Sequence, residues 1–232
     1  MKVGITERGD AGIDFSWQNF VASVDMMILI TKAPQNLVGQ VLSPKTVVHC
    51  TITGLGNSRW EPNVEKPELT LSAYRSLIEK YGSERVVLRV DPILPFGNGV
   101  SIAKSVIANA LGRVRISFMD AYRHVRNRIS EQKLAEIPWK GLHAPLENRL
   151  KILEDLKKEF QTIDFEICGE PGISCTGCVS VRDLLACGFK EFSFAGKSYQ
   201  REECMCLAEK TELLSNRSRC KHKCVYCYWK DK

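Results

Sequence analysis

Short runs of apolar, β-branched residues recur along the chain, and longer amphipathic stretches separate them. Several of the short runs are apolar at nearly every position, which is typical of strands buried on both faces of a parallel sheet. This pattern predicts strands at 2–6, 26–31, 46–53, 85–91, 113–119, 163–168 and 191–195.

The intervening stretches carry apolar residues three and four positions apart, which is the spacing of an amphipathic helix. They predict helices at 14–24, 68–82, 101–112 and 146–160, and a shorter one at 180–189. Gly82 and Gly112 stand where two of these helices are expected to end, a position that favours glycine.

Alternation of strand and helix indicates βαβ units. We therefore expect an α/β fold, a partial or permuted TIM-type (βα) barrel of about six to seven parallel strands. Residues 196–232 are polar, rich in cysteine and without clear periodicity. We expect residues 1–195 to form the barrel and residues 196–232 to be a cysteine-rich, cluster-binding tail packed on the barrel mouth.

The composition is that of an ordinary globular protein, since 44% of the 232 residues are hydrophobic and 26% are charged. No apolar run approaches the roughly 20 residues of a membrane-spanning helix. The start, "MKVGITERGD", shows no secretory signal. We therefore expect a cytoplasmic protein with no membrane association.

The net charge of +6 is a mild indication of an anionic partner such as nucleic acid. The segment "NRSRCKHKCVYCYWKDK" carries six Lys and Arg against one Asp. These cations have an equally good explanation, which is to balance thiolate or cluster charge, because basic clusters alone are weak evidence for nucleic acid.

Polar residues recur at the predicted carboxyl ends of the strands, where the active sites of βα barrels lie. Each one alone is more simply a loop residue or a cap. Asp91 precedes Pro92 and is held extended, so that Arg89 and Asp91 project to one side of their strand. They form either a structural ion pair or a functional pair. The full set is Thr31, Lys32, Thr51, Thr53, Gly54, Arg89, Asp91, Ser117, Asp120, Tyr122 and Glu170.

Ten cysteines are many for a chain in a reducing compartment, where metal-binding or catalytic thiols are expected rather than disulfides. Cys220, Cys224 and Cys227 have the spacing C-x3-C-x2-C. This supplies three thiolates to a four-iron cluster and leaves one iron open to the amino and carboxylate groups of S-adenosylmethionine (SAM). The aromatic residue before the third cysteine, Tyr226, is expected to lie against the adenine.

Zinc is the competing interpretation of these cysteines, because zinc takes four Cys or His ligands. His222 lies between the first two cysteines and is the candidate fourth ligand, although the crowding makes the geometry poor. The simpler expectation is that His222 is an exposed loop residue.

A second group of cysteines lies upstream, and four of its five members are enough to hold a second cluster. Thiolates suit either iron–sulfur or zinc, so the metal stays open. Cys50 and Cys187 lie in apolar surroundings and are expected to be buried small hydrophobes. The group is Cys168, Cys175, Cys178, Cys204 and Cys206.

The chain resembles an uncharacterised bacterial and archaeal family, domain of unknown function 1848, which is related to radical SAM proteins of the spore photoproduct lyase kind. The resemblance covers nearly the whole chain. Its stretches are "ITERGD", "ILITKAP", "TITGLGNSRWEPNV", "GSERVVLRVDPIL", "RISFMDAYRHVRN", "ICGEPGI", "ECMC" and "CKHKCVYCY".

The resemblance implies a radical SAM-type partial barrel with Cys220, Cys224 and Cys227 as ligands of the SAM cluster. It also implies a second ligand set. That set is Cys168, Cys204, Cys206 and either Cys175 or Cys178.

Two departures from the wider radical SAM pattern matter. The three-cysteine loop follows the last strand rather than the first, an order that a nearly closed barrel tolerates because its first and last strands are neighbours. Little chain follows Cys227. We therefore expect SAM to be more exposed than usual or to be covered by a partner chain, and catalysis to depend on that cover.

These features favour an iron–sulfur radical SAM-type enzyme that generates a 5′-deoxyadenosyl radical to modify or repair a substrate. A nucleotide or nucleic acid is the candidate substrate. Its expected cofactors are a [4Fe-4S] cluster with SAM and a second [4Fe-4S] cluster or zinc, and its electron donor is of the ferredoxin or flavodoxin type. The alternative is a non-catalytic, metal-stapled binding subunit of a larger assembly.

Overall fold

The computed structural model of the chain describes residues 1–191, 204–207, 210–215 and 220–229. Within these ranges, seven parallel strands form one open sheet in the order β6-β5-β4-β3-β2-β1-β7. The fold is therefore α/β with a parallel sheet, as expected for a partial barrel. The strands are β1 (Val3–Ile5), β2 (Met26–Thr31), β3 (Thr46–Thr51), β4 (Val86–Ile93), β5 (Val114–Phe118), β6 (Phe165–Ile167) and β7 (Lys210–Glu212).

The helices lie in the connections between strands, and a 3₁₀ helix, Phe15–Ser23, occupies the first predicted helix. The pattern did not predict α1 and α4, because α1 is a single turn and α4 is mostly polar. The α-helices are α1 (Gln35–Val38), α2 (Pro67–Tyr81), α3 (Gly99–Ile107), α4 (Arg123–Glu131), α5 (Leu146–Glu159) and α6 (Val181–Ala186).

The two glycines expected at helix ends differ in outcome. Gly82 ends α2 with a φ of +84° and donates its N–H to Ile78 O at 2.8 Å. The expectation for Gly112 is wrong, because α3 already ends at Ile107. The N–H groups of the two residues after its C-cap bond three residues back, so the helix tightens and stops early.

Strand β7 comes from the segment expected to be an irregular tail. It pairs with β1, with Lys210 opposite Val3 and Glu212 opposite Ile5. The three-residue sequence Lys-Thr-Glu has no apolar pattern, so periodicity could not predict it. The strand predicted at 191–195 lies, apart from Glu191, outside the described residues. The boundary between a barrel and a tail at residue 195 stays a prediction.

The two faces of the sheet have different surroundings. Apolar residues of α2, α3 and α5 pack on one face, against strand residues such as Leu29, Val48 and Leu88. The other face, which we call the inner face, carries apolar residues near β1 and β2.

Charged residues occupy the inner face farther along the sheet. The Arg113 guanidinium donates to Glu166 at 2.7 Å and to Asp183 at 2.7 Å. Arg115 donates to Asp183 at 3.2 Å and to His49 Nε2 at 2.9 Å. Paired in this way, the buried charges avoid the cost of an isolated buried ion.

Within the described ranges, none of the helices combines the length and apolarity needed to cross a lipid bilayer.

Candidate functional site

A cavity of about 760 Å³ lies at the carboxyl ends of the strands. This is the edge of a parallel sheet where βα loops gather and where ligands bind. Most of the predicted site residues line it, together with parts of the loop after β1. Those lining residues are Thr31, Lys32, Thr51, Arg89, Asp91, Ser117, Asp120, Tyr122, Cys168, Cys178, Cys204, Cys220, Cys224, Tyr226 and Cys227.

The segment Cys220–Cys227, which we call the three-cysteine loop, contains two consecutive turns. The N–H of Lys223 donates to Cys220 O at 3.3 Å, and that of Cys227 donates to Cys224 O at 3.2 Å. These turns bring all three thiols to the cavity wall. Burial raises the pKa of Cys220 to about 11 and also raises that of Cys224, so both thiols carry their protons at neutral pH in the metal-free protein.

His222 anchors the three-cysteine loop to the loop after β1. Its Nε2 lies 2.8 Å from a carboxylate oxygen of Asp10, and its Nδ1 lies 3.0 Å from Asn63 O. Burial lowers the pKa of His222, but the hydrogen bond and charge of Asp10 raise it by more, so the net pKa lies above its ordinary value. The expectation of an exposed His222 is therefore wrong. His222 is only 5% exposed, because it pairs with the buried carboxylate of Asp10.

Arg128 of α4 holds the other end of the three-cysteine loop. Its guanidinium donates to Cys227 O at 2.6 Å, to Trp229 O at 2.7 Å and to Val225 O at 3.4 Å. The loop is thus fixed by a cation that bonds the backbone carbonyls of alternate residues, and neither Arg128 nor Asp10 was singled out from the sequence.

Lys32, Glu61 and Tyr226 form a buried polar group beside Cys224. Lys32 Nζ donates to Glu61 Oε1 at 2.7 Å and to the Tyr226 hydroxyl at 2.9 Å, and the hydroxyl in turn donates to Glu61. Burial lowers the pKa of Lys32, but Glu61, and after it Cys224, raise it by more, so the ammonium stays charged. The Tyr226 ring is therefore fixed at the cavity wall.

Four upstream cysteines approach one another on the inner face. Cys168 Sγ lies 3.2 Å from Cys178 Sγ, and Cys204 Sγ lies 3.3 Å from Cys206 Sγ. The N–H of Cys178 donates to Cys206 Sγ at 3.2 Å, which joins the two pairs. The hydrogen bond from Cys168, and then that from Cys206, lowers the pKa of the Cys178 thiol, whereas the hydrogen bonds with Cys178 raise the pKa of Cys168 and of Cys206.

Cys175 lies apart from these four. Its thiol donates to Ile173 O at 3.2 Å and accepts from the Glu170 N–H at 3.1 Å, and it packs toward the opposite face of the sheet. Of the two alternatives left open by the sequence, Cys178 rather than Cys175 stands with Cys168, Cys204 and Cys206.

The thiols of both sets supply soft donors at the cavity. Among the side chains of residues 1–191, 204–207, 210–215 and 220–229, no group of three or more His, Cys, Asp or Glu is already drawn together as the shell of a metal ion.

The sequence matches the family described as Domain of unknown function (DUF1848) over residues 16–229. The chain belongs to this family. The matched region contains both cysteine sets and Arg128, whereas Asp10 lies before it. No curated protein and no solved structure matches the chain.

In this DUF1848 chain, Arg89 and Asp91 form an ion pair in the cavity wall. Arg89 Nη1 also donates to Thr51 Oγ1 at 3.3 Å. The Nε of Arg89 is buried and has no hydrogen-bond partner among the described residues. An unsatisfied buried donor in a cavity wall is a position where a ligand oxygen is favoured.

Asp120 lies on the β5 side of the same cavity and accepts from His143 Nδ1 at 2.8 Å. Tyr122 stacks on His124 with ring centroids 5.6 Å apart. His143 and His124 were not predicted, because each lies on a long loop or a helix without a motif.

Five predicted site residues do not line the cavity. One of them, Glu170, instead accepts from the Phe118 N–H at 2.7 Å and from Arg149 Nη1 at 2.8 Å. Thr53 and Gly54 lie in the turn after β3, where a Cβ on Gly54 would meet Ile102 Cγ2 at 2.4 Å, so this turn packs against α3. The remaining two are Cys175 and Cys206, of which Cys206 is buried behind Cys178 and Cys204. The predicted cofactor contacts of Thr53 and Gly54 have no support from their position.

Proposed function

We propose that this protein is an iron–sulfur, radical SAM-type enzyme of the reducing cytoplasm. The observation that carries the proposal is that Cys220, Cys224 and Cys227 line one large cavity at the carboxyl edge of an open parallel sheet. Three thiols are one ligand short of a four-iron cluster, which suits a centre that leaves one iron for a small molecule.

The state of His222 supports a three-thiol site over a Cys₃His zinc site. Both ring nitrogens of His222 already face oxygen acceptors, Asp10 and Asn63 O. A zinc ligand needs one ring nitrogen unprotonated and turned to the metal. In the observed position, His222 is a support of the loop and not its fourth ligand.

A bound cluster would supply the electron that breaks the bond between C5′ and the sulfonium sulfur of SAM, with methionine and a 5′-deoxyadenosyl radical as products, and the chain would supply binding and orientation. Tyr226, held by Lys32 and Glu61, provides the aromatic surface for the adenine. The Arg89–Asp91 pair matches a ligand that carries both an anionic and a cationic group, because each member offers one charge to it. Asp120, which accepts from His143, and Tyr122 line the part of the cavity proposed to hold the substrate.

Cys168, Cys178, Cys204 and Cys206 are proposed to hold a second [4Fe-4S] cluster, with zinc as the alternative occupant of a four-thiol set. A ferredoxin or flavodoxin type protein is proposed as the electron donor.

The proposed substrate class is a nucleotide or nucleic acid. Its support is the aromatic and basic character of the cavity near Trp229, where Tyr228 packs at a 5.1 Å centroid distance and Arg8 lies 5.7 Å from the Trp229 ring. Such surfaces bind bases by stacking.

The test is anaerobic reconstitution with iron and sulfide, followed by incubation with SAM and dithionite. The proposal predicts about eight irons per chain and release of 5′-deoxyadenosine. A Cys220/Cys224/Cys227→Ala variant should keep about four irons and release no 5′-deoxyadenosine. A Cys175→Ala variant should match the wild type in iron content and in 5′-deoxyadenosine release. A colourless zinc protein that leaves SAM intact contradicts the proposal and favours a metal-stapled binding subunit.

A further inference from the structure

Lys210 is a buried cation that the sequence analysis did not assign. It begins β7 and lies in register with Val3, whose side chain belongs to the inner-face core. Side chains in register on parallel strands point to the same face, so Lys210 points toward the upstream cysteines. Its side chain is only 3% exposed.

The Lys210 ammonium has two kinds of neighbour. Nζ lies 3.8 Å from Cys204 Sγ and 3.0 Å from Glu7 Oε2. The ion pair with Glu7 keeps the ammonium charged at the edge of the second cysteine set.

Glu7 is itself fixed in place by β7. Glu212, two residues after Lys210, accepts the backbone N–H groups of Glu7 and Arg8 at 3.0 and 2.9 Å. The two charged residues of this short strand thus act together: Glu212 holds the loop that carries Glu7, and Glu7 holds Lys210 against Cys204.

We propose that Lys210 is a positioning residue for the second metal centre, and that its N–H···S contact with Cys204 raises the reduction potential of that centre. The inference rests on the proposed iron–sulfur cluster at Cys168, Cys178, Cys204 and Cys206. Hydrogen bonds to the ligand sulfurs and nearby charges are among the factors that determine the reduction potential of such a cluster. Reduction adds one electron to a centre that is already anionic, and a cation beside a ligand sulfur stabilises the added charge.

The experiment uses the full chain with Cys220/Cys224/Cys227→Ala, so that only the second centre contributes to the signal. Its midpoint potential is measured by anaerobic titration with dithionite in a mildly alkaline buffer, with visible absorbance and electron paramagnetic resonance as readouts. Lys210→Met should shift the midpoint potential to more negative values. Lys210→Arg keeps the positive charge, so its midpoint potential should lie close to the wild-type value. Lys104→Met is the matched control. Lys104 also pairs with a glutamate, Glu159 at 2.6 Å, but this ion pair joins α3 to α5.

Glu7→Gln keeps the proposal testable if Lys210→Met fails to hold iron. Glutamine keeps an oxygen that accepts from Lys210 Nζ, so the ammonium stays beside Cys204 while the negative charge is removed, and the potential should shift in the opposite direction, to less negative values. Loss of iron in Lys210→Met with retention in Lys210→Arg supports the positioning role, and Glu7→Gln then tests the charge effect.

The outcomes separate this inference from the proposed function. If the triple-alanine chain binds no iron, the second centre and the role of Lys210 both fall. If it binds about four irons and Lys210→Met leaves the potential where Lys104→Met leaves it, only the role of Lys210 is overturned. Shifts of the same sign in Lys210→Met and Glu7→Gln also overturn it, because opposite charges cannot act alike.

Discussion

At the residue scale, the site depends on pairs of side chains that are far apart in the sequence. His222 meets Asp10, 212 positions earlier, and Tyr226 meets Glu61, 165 positions earlier. The local pattern identified the cysteines and Tyr226 because their spacing is itself a motif. It could not identify Asp10 or Glu61, because their importance comes only from the folded neighbours that they meet.

His49 gives a residue-scale prediction for stability. Its Nε2 accepts from Arg115 at 2.9 Å on the inner face, and burial, followed by the Arg115 charge, lowers its pKa to about 3. The unfolded chain binds this proton near the ordinary value of 6.5. The stabilising effect of neutral His49 is therefore complete above that value and is lost progressively as the pH falls toward 3.

Between about pH 7 and pH 5, His49 should account for a loss of about 2 kcal/mol in the free energy of unfolding. His49→Gln keeps an acceptor for Arg115 but does not titrate, so its loss over the same interval should be smaller by that amount. Urea unfolding of the reduced, cluster-free chain measures this difference. Equal losses in the two proteins would show that His49 does not titrate as described.

At the scale of elements, the strands and helices that the sequence predicted are those with a clear pattern of apolar residues. Strands β1 to β6 were predicted because β1 and β2 are apolar at nearly every position and β3 to β6 carry apolar residues at consecutive or alternate positions. Helix α4 was missed because its nine residues offer only Val125 and Ile129 as buried apolar positions, while Arg128 is buried by its bonds to the three-cysteine loop. The helix therefore serves the site more than the core.

Replacing Arg128 by Met tests the part that α4 plays. The substitution keeps an apolar stem but leaves the carbonyls of Cys227 and Trp229 without their donor, at a cost of about 3 kcal/mol. We expect iron at the three-cysteine loop to be released to a chelator at least roughly tenfold faster, with iron at the second set retained.

Arg126→Met is the control for that experiment. Arg126 also lies in α4, but it donates to Ala121 O and Gly141 O instead of the three-cysteine loop. It should release iron at the wild-type rate. Equal acceleration in both variants would mean that helix stability, and not the contact with the loop, controls retention of the metal.

At the scale of the whole molecule, β7 explains how a terminal cysteine segment reaches the barrel mouth. The strand pairs with β1, so the three-cysteine loop that follows it lies beside the loop after β1, where Asp10 receives His222. The sequence predicted the last strand at 191–195, which apart from Glu191 lies outside the described residues, so its expected place beside the first strand stays a prediction. It could not predict which residues form the last strand, because Lys210 and Glu212 are polar residues held inside by partners rather than by hydrophobicity.

The central claim is that Cys220, Cys224 and Cys227 hold a cluster with one iron open to SAM. Electron paramagnetic resonance of the dithionite-reduced protein, recorded with and without SAM, tests it most directly. The account predicts that SAM changes the signal of one cluster and that the Cys220/Cys224/Cys227→Ala variant lacks both that signal and its change. A reduced cluster that does not respond to SAM, or a response that survives in the variant, contradicts it.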